Sequence, residues 1–416
     1  MEKKLVGMKK RILLIFPNEW LAYTPTVLNL VAELSGVLDI KVLAIDDGTY
    51  RNSEIDSDNF DFVKVNIAIL KLHTFIIKVF GTSKFYQLAK IALLWFALRA
   101  YKGWADEVIA IDSAGLWIAQ EIFGKCHFMS LELFKDRLFE RCNLKLIESV
   151  IIQTQERYDY LFGDLTIKTF LIQNSPLYKP DAINRKPLTS KKAIFLGNAN
   201  PRNGAYFCIE SMRDIKDLSL TIKGTISSQD RQYIETHYSD LLKSERLILD
   251  DQYVKQEEII EYLSQYYVGF CFYDLKCTDE TTRFNFISVP SGKLFNYYAA
   301  GVPVVGSNIL GLKTTVRTIL NRQWWNAGFS IITEANTNGG MRVSASASKN
   351  VRSIVKSVQD FNAGVLLENI STMTILQALN YIDQHHEQLS KNCLKAAAHF
   401  DFNSAVRPFK EYLLAK

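Results

Sequence analysis

No run of eighteen uncharged apolar residues occurs in the 416-residue chain, so the sequence predicts no membrane-spanning helix. The apolar run behind the basic N-terminus, Ile12–Phe16, is too short for the hydrophobic region of a secretory leader, and none is predicted. Six cysteines (Cys126, Cys142, Cys208, Cys271, Cys277 and Cys393) show no C-x-x-C pair, and only Cys271 and Cys277 lie close together. Without paired spacing there is no disulfide framework to read, and the thiols suit a reducing, cytoplasmic compartment. A net charge of +5 is too small to imply nucleic-acid binding without a basic stripe and a reading motif, and neither is present. No cluster with metal-ligand spacing is visible, so neither a metal nor a cofactor is predicted.

What is present is a core-forming composition, 48% hydrophobic and 22% charged, over a length that suits two or three domains. Ile12–Phe16 reads as a first buried parallel strand. Thr24 and Pro25 supply an N-cap and a first helical position for Val27–Leu34, Gly36 closes that helix, and Val37–Ile45 is the next strand. This is βαβ order. The loop between, Pro17–Thr24, has no glycine, and a dinucleotide fingerprint needs glycines there to let the pyrophosphate approach. A nicotinamide or flavin dehydrogenase is therefore disfavoured. Asn18, Glu19, Tyr23 and Thr24 can line a cleft or serve as ordinary loop residues.

Acids are missing from Phe62 to Ala105, a stretch that holds Lys64, Lys71, Lys78, Lys84, Lys90, Arg99 and Lys102 among many aromatic and aliphatic residues. Bases interleaved with aromatics on amphipathic helices suit an anionic membrane surface; the alternative is core helices with solvated lysines. The charge asymmetry points to peripheral contact through residues 64–102 at the inner face of a membrane. Asp112 follows the strand Ala105–Ile111, at the end where open α/β sheets carry functional groups. His127 reads as structural.

Three prolines (Pro176, Pro180 and Pro187) mark residues 174–190 as a linker between an N-terminal domain, 1–173, and a C-terminal one, 191–400. The second domain opens with the strand Ala193–Leu196 ended by Gly197, and further strands fall at Leu218–Gly224, Leu247–Leu249 and Val268–Tyr273. Residues 321–350 are turn-rich and weakly hydrophobic, and read as an insertion. The most informative stretch is 289–307, Val-Pro-Ser-Gly-Lys-Leu-Phe-Asn-Tyr-Tyr-Ala-Ala-Gly-Val-Pro-Val-Val-Gly-Ser. Ser291 is an N-cap candidate. Leu294, Phe295, Tyr298 and Ala299 share one helix face, Gly301 stops the helix, and Val302–Val305 is a buried strand. Free N–H groups at the start of this helix, with Gly292 and Lys293 beside them, form an anion site suited to a diphosphate.

This stretch resembles the second-domain signature of GT-B glycosyltransferases, in particular the family-4-like group, whose pattern is Pro-x-x-Lys-Leu-Phe-Glu-Tyr-x-Ala-x-Gly-x-Pro-Val-Val. The resemblance covers roughly 190–320 and 360–385. It implies two Rossmann-like domains facing across a cleft, a nucleotide-sugar donor on the C-terminal domain, an acceptor on the N-terminal domain, and a last helix, 401–416, returning to brace the first domain. It also implies metal-independent transfer of a hexose to a glycan or lipid-linked acceptor in bacterial-type surface polysaccharide assembly. Asn296 stands where the family has a ribose-binding glutamate, and Ser288 where it has a second one. Gly197, Arg202 and Lys223 complete the implied donor set with Ser291, Gly292, Lys293 and Asn296. The Ser-Leu-Glu segment after Cys126–Met129 resembles an acceptor-domain pattern with a cleft-facing acid, making Glu132 the first candidate for a general base and Asp112 the second. A non-catalytic subunit binding a glycan or a partner, or a sugar-nucleotide epimerase of the same fold, are the other readings.

Overall fold

The computed structural model describes residues 9–48, 52, 55, 58–80, 84–133, 135–177, 190–201, 203–273, 292–307, 361–367 and 369–416. They fall into two compact units, each built on one parallel sheet. Unit 1 holds the described residues up to Leu177 together with Phe400–Lys416, and unit 2 those from Ser190 to His399.

In unit 1 the strands are β1 (Arg11–Phe16), β2 (Asp39–Asp46), β3 (Phe60–Lys64), β4 (Glu107–Ile111), β5 (Cys126–Met129), β6 (Ile147–Ile152) and β7 (Thr169–Leu171). Their order is β3-β2-β1-β4-β5-β6-β7, all parallel. The helices of this unit are α1 (Pro25–Ser35), α2 (Ile67–Phe80), α3 (Lys84–Leu98), α4 (Asp112–Phe123), α5 (Arg137–Arg141) and α6 (Gln155–Phe162). Because strand side chains alternate, β1 feeds two cores. Leu13 and Ile15 pack with Leu94, Leu116 and Leu161 on one face, and Ile12, Leu14 and Phe16 pack with Val27, Leu30 and Leu34 on the other. Thr24 does precede α1 with Pro25 at the first turn, but its hydroxyl donates to Trp20 O at 3.0 Å instead of capping the helix.

Unit 2 contributes β8 (Lys192–Leu196), β9 (Ser219–Lys223), β10 (Leu247–Asp250), β11 (Val268–Cys271), β12 (Val304–Ser307) and β13 (Gly364–Leu367), in the order β10-β9-β8-β11-β12-β13. Its helices are α7 (Ala205–Ser211), α8 (Ser228–His237), α9 (Ser239–Lys243), α10 (Ile259–Ser264), α11 (Gly292–Ala299) and α12 (Thr372–His399). The chain ends in α13 (Phe402–Ala415) of unit 1, capped by Asp401, whose carboxylate accepts from Ser404 N at 3.0 Å. Its stripe Phe402, Val406, Phe409 and Leu413 is fully buried in the second face of the unit 1 core.

The seven bases of the acid-free stretch do not share one surface. Lys90 is 2% exposed and bonds Glu19 Oε2 at 2.6 Å, which corrects its assignment to a membrane-facing set. Its neighbours at helical spacing, Tyr86 and Leu94, are buried as well, so Lys90 lies on the apolar stripe of α3.

Helix α11 carries one more buried residue than the sequence suggests. Tyr297 is fully buried beside Leu294, Phe295 and Tyr298, and its hydroxyl accepts from Leu196 N at 2.9 Å. The ring lies where a side chain at Gly269 would go, since a Cβ there would meet it at 2.6 Å. Gly301, at φ +66, then ends the helix, with Val302 N bonded to Tyr297 O at 2.8 Å and β12 following directly. Substituting Gly269→Ala should therefore cost about 1–3 kcal/mol through overpacking against Tyr297. Tyr297→Phe should cost about the same by orphaning the Leu196 N–H. Chemical denaturation of both variants checks this, and a change well below 1 kcal/mol in both would contradict it.

Candidate active site

Parallel sheets place ligands at the carboxyl ends of their strands, at the point where strand order reverses. In unit 2 that point lies between β8 and β11. Gly197 and Gly224 close β8 and β9 there with φ of +127 and +142, and Gly197 N bonds Lys223 O at 2.8 Å. A Cβ on Gly224 would come within 2.4 Å of Gly197 O, so the two turns can pack together only with glycine at 224, while the positive φ at 197 favours glycine there on backbone grounds. Gly204, at φ +78, brings the start of α7 against Phe272 in the same way.

Lys293 projects from the first turn of α11 into this edge. Its Nζ lies 4.4 Å from the Phe195 ring centroid and 4.7 Å from that of Tyr273. Burial lowers its pKa, and its other near neighbours are the thiols of Cys208 and Cys271. Among the described residues it forms no ion pair with a carboxylate. An ammonium among aromatic faces and thiols gains some cation–π energy but has no carboxylate counter-ion among the described residues.

Lys223 has a different environment. It is buried at the end of β9, its Nζ donating to Asp250 Oδ1 at 2.7 Å and to Gln252 O, while Tyr262 donates to Asp250 Oδ2 at 2.8 Å. Its charge is already neutralised, so it props the loop after β10 and offers no free cation to a donor. Asn296, one turn beyond Gly292 and Lys293, is half-buried, and its side chain makes no hydrogen bond among the described residues. Arg202, Ser291, Ser288 and the insertion at 321–350 lie outside the described residues.

In unit 1 the strand order reverses between β1 and β4. The Glu19–Lys90 pair follows β1, and Asn52 fixes this loop by donating to Glu19 O at 2.7 Å and accepting from Ala22 N at 3.1 Å. Asp112 follows β4. It is 3% exposed, sits at φ +53, and accepts through Oδ1 from Leu131 N at 2.9 Å and Glu132 N at 3.0 Å. Its Oδ2 has no hydrogen-bond partner among the described residues, and burial raises its pKa to about 7. The Leu131–Glu132 segment is held from other directions too. Arg157 Nη1 donates to Leu131 O at 3.1 Å, Gln153 Nε2 to the same oxygen at 3.0 Å, and Ser130 Oγ to Glu132 O at 3.0 Å. Arg157 is fully buried, which lowers its pKa to about 10, and the Glu132 and Asp112 charges oppose that lowering. Glu132 itself is half-buried. The two carboxylates are thus brought together, Asp112 as a buried strut and Glu132 as the less buried of the two. Arg157 and Gln153 escaped the sequence reading. The only signal is their i, i+4 spacing across the start of α6.

No family model matches the chain, and no curated protein does. Solved structures do match along its whole length. HepE of Anabaena in complex with UDP-glucose has a TM-score of 0.63 at 11% identity, covering 97% of this chain and 99% of that one. Trehalose-6-phosphate synthase OtsA has 0.60 at 10%, covering 97% and 98%. The lipopolysaccharide outer core galactosyltransferase WaaB, in its apo form, has 0.51 at 12%, covering 96% and 99%. At these identities the likeness establishes the fold, two Rossmann-like α/β domains of the GT-B class.

Asp112 makes stability depend on pH with a defined sign. Its folded pKa of about 7 lies above the ordinary 3.8, so its contribution is fully present below about pH 4 and lost as pH rises through 7. Asn in its place keeps the Oδ1 acceptor and tolerates positive φ. The difference in melting temperature between Asp112→Asn and wild type should therefore shift in the variant's favour between pH 5 and pH 8. Parallel pH profiles of the two proteins would contradict the assignment.

Proposed function

We propose that the chain is a glycosyltransferase that takes its sugar from a nucleotide-sugar held by unit 2. The acceptor, recognised by unit 1, is a glycan or lipid-linked molecule of surface polysaccharide assembly. The observation that carries this reading is Lys293, a half-buried cation with no carboxylate partner among the described residues, at the reversal point of the unit 2 sheet and the first turn of a helix. A diphosphate supplies the missing counter-charge, and the helix-start N–H groups add to it. Structural neighbours bound to UDP and UDP-glucose support the same ligand class.

In the reaction, the bond from the anomeric carbon to the diphosphate oxygen breaks and one to an acceptor hydroxyl oxygen forms. Negative charge grows on the departing diphosphate, where Lys293 stabilises it without any metal. Glu132 is the carboxylate available to orient the acceptor hydroxyl or take its proton. Asp112, Arg157, Gln153 and Ser130 hold the backbone beside it, so they act as positioning residues. Asn296 offers a ribose hydroxyl a neutral carbonyl acceptor in place of a carboxylate. That exchange is the observation favouring the second reading, a subunit that binds a nucleotide-sugar without turning it over, and a donor-hydrolysis assay separates the two.

Calorimetry with UDP, GDP and ADP tests the donor site. Lys293→Met should weaken binding of the preferred diphosphate about tenfold or more, as befits loss of a charge-assisted contact of about 1.5–3 kcal/mol. The same variant should melt higher without ligand, because it removes a partly desolvated charge. Unchanged affinity would overturn the assignment.

The same reading includes peripheral membrane contact. Helices α2 and α3 pack on each other and expose Leu72 (45%), Phe75 (59%), Leu88 (67%) and Phe96 (64%), and Lys71 and Lys102 are exposed as well. Exposed apolar side chains beside bases suit insertion at an anionic surface. Changing Phe75, Leu88 and Phe96 to Ser should lower co-sedimentation with anionic vesicles at high salt, and changing Lys71 and Lys102 to Glu should lower it at low salt. Equal partitioning of all three proteins would return these helices to a purely structural role.

A further inference from the structure

The amino ends of the unit 1 strands, at the edge opposite Asp112, carry a second group of ionisable side chains: Glu107 opens β4, His127 lies in β5 and Glu148 in β6. We propose that these three residues bind one divalent cation of the zinc class, in exchange for the ammonium of Lys416. Their ligand atoms lie within 4.8 Å of one another. His127 Nε2 is 3.2 Å from Glu107 Oε2 and 3.8 Å from Glu148 Oε2. A tetrahedral ion with bonds of about 2.0–2.1 Å needs ligand atoms about 3.3–3.5 Å apart; the two His127 distances bracket that spacing, and the carboxylates close on the ion by side-chain rotation.

The imidazole is the independent pointer. His127 is fully buried, and its Nε2 points between the two carboxylates, with Glu107 Oε2 as its nearest polar neighbour. Its Nδ1 lies 2.8 Å from Ser149 Oγ, a bond that with Nδ1–H as donor leaves the Nε2 lone pair directed outward. The edges of Phe409 and Tyr412, with centroids at 5.8 and 6.0 Å, fix the ring plane. A lone pair facing a carboxylate oxygen at 3.2 Å needs a proton or a cation between them. Imidazole with two carboxylates is a nitrogen and oxygen set that suits zinc, and the two negative charges match a divalent ion.

Two ammonium groups now neutralise the carboxylates. Lys10 Nζ lies 3.1 Å from Glu107 Oε1, and Lys416 Nζ lies 2.6 Å from Glu148 Oε2 and 3.5 Å from Glu107 Oε1. Glu148 must give up Lys416 to bind a metal, whereas Glu107 can keep Lys10 on its other oxygen. The lysine that competes is partly exposed, with 29% of its side chain accessible, and can swing into solvent. The exchange ties β4, β5 and β6 together beneath α13.

Zinc titrated into the full chain, with calorimetry against a competing chelator, tests this. Wild type should take up one equivalent through this site, Glu148→Gln should lose it, and Lys416→Met should bind about tenfold more tightly because the competing ammonium is gone. His127→Asn should also lose it, and if that variant fails to fold, Glu148→Gln decides. Cobalt in place of zinc should show ligand-field bands without thiolate charge transfer, which sets this site apart from the free cysteines. The Lys293→Met variant should retain the metal. No uptake by Lys416→Met, affinity equal to wild type in that variant, or uptake unchanged in Glu148→Gln would each overturn the proposal.

Discussion

An ammonium group set among aromatic faces and thiols, with no carboxylate beside it among the described residues, is the interaction around which the account of this protein is built. Lys293 has two aromatic faces and two thiols around it, and burial lowers its pKa. Burying a charge costs folding free energy unless it is paired, and cation–π contacts offset only part of that cost. Among the described residues the two buried lysines have acidic partners: Lys90 has Glu19 and Lys223 has Asp250. The contrast gives Lys293 its meaning as a charge kept for a ligand.

Tight backbone packing holds that lysine in position. Tyr297 pins α11 to β8 through Leu196 N, Gly269 leaves room for the ring, and Gly301 turns the chain straight into β12. Gly197 and Gly224 bring the neighbouring turns together at the same edge. Unit 1 follows a related logic, with the difference that its buried group is an acid. Asp112 spends one carboxylate oxygen on two backbone N–H groups of the Leu131–Glu132 segment, and Arg157 and Gln153 hold the carbonyl beside them. Buried polar groups in each unit thus fix a less buried one.

Much of this architecture was legible in the residues. Continuous apolar strand runs, Thr24-Pro25 before a helix and Gly301 after one are local signals with local causes. Asp112 was placed at a strand end by the apolar run before it, and Lys293 at a helix start by Ser291 and Gly292 before it and Gly301 after the helix. What could not be read depends on partners distant in sequence. The pairing of Lys90 with Glu19 spans 71 positions, and nothing local distinguishes Lys90 from the exposed Lys71 except its place on an apolar stripe. Lys223 read as a donor ligand because Asp250 belongs to another strand. Glu107, His127 and Glu148 have no metal-like spacing, since each comes from a different strand and only the sheet unites them.

The claim that Lys293 is reserved for an anionic ligand is tested most directly by following that lysine itself. Side-chain NMR of isotopically labelled lysine, assigned with Lys293→Met, gives the pKa of Lys293 with and without a nucleoside diphosphate. The account predicts a pKa below the ordinary 10.5 in the free protein that rises when the diphosphate binds, because a nearby anion favours the charged form. An unperturbed pKa in the free protein, or one that stays the same while the diphosphate is bound, would contradict it.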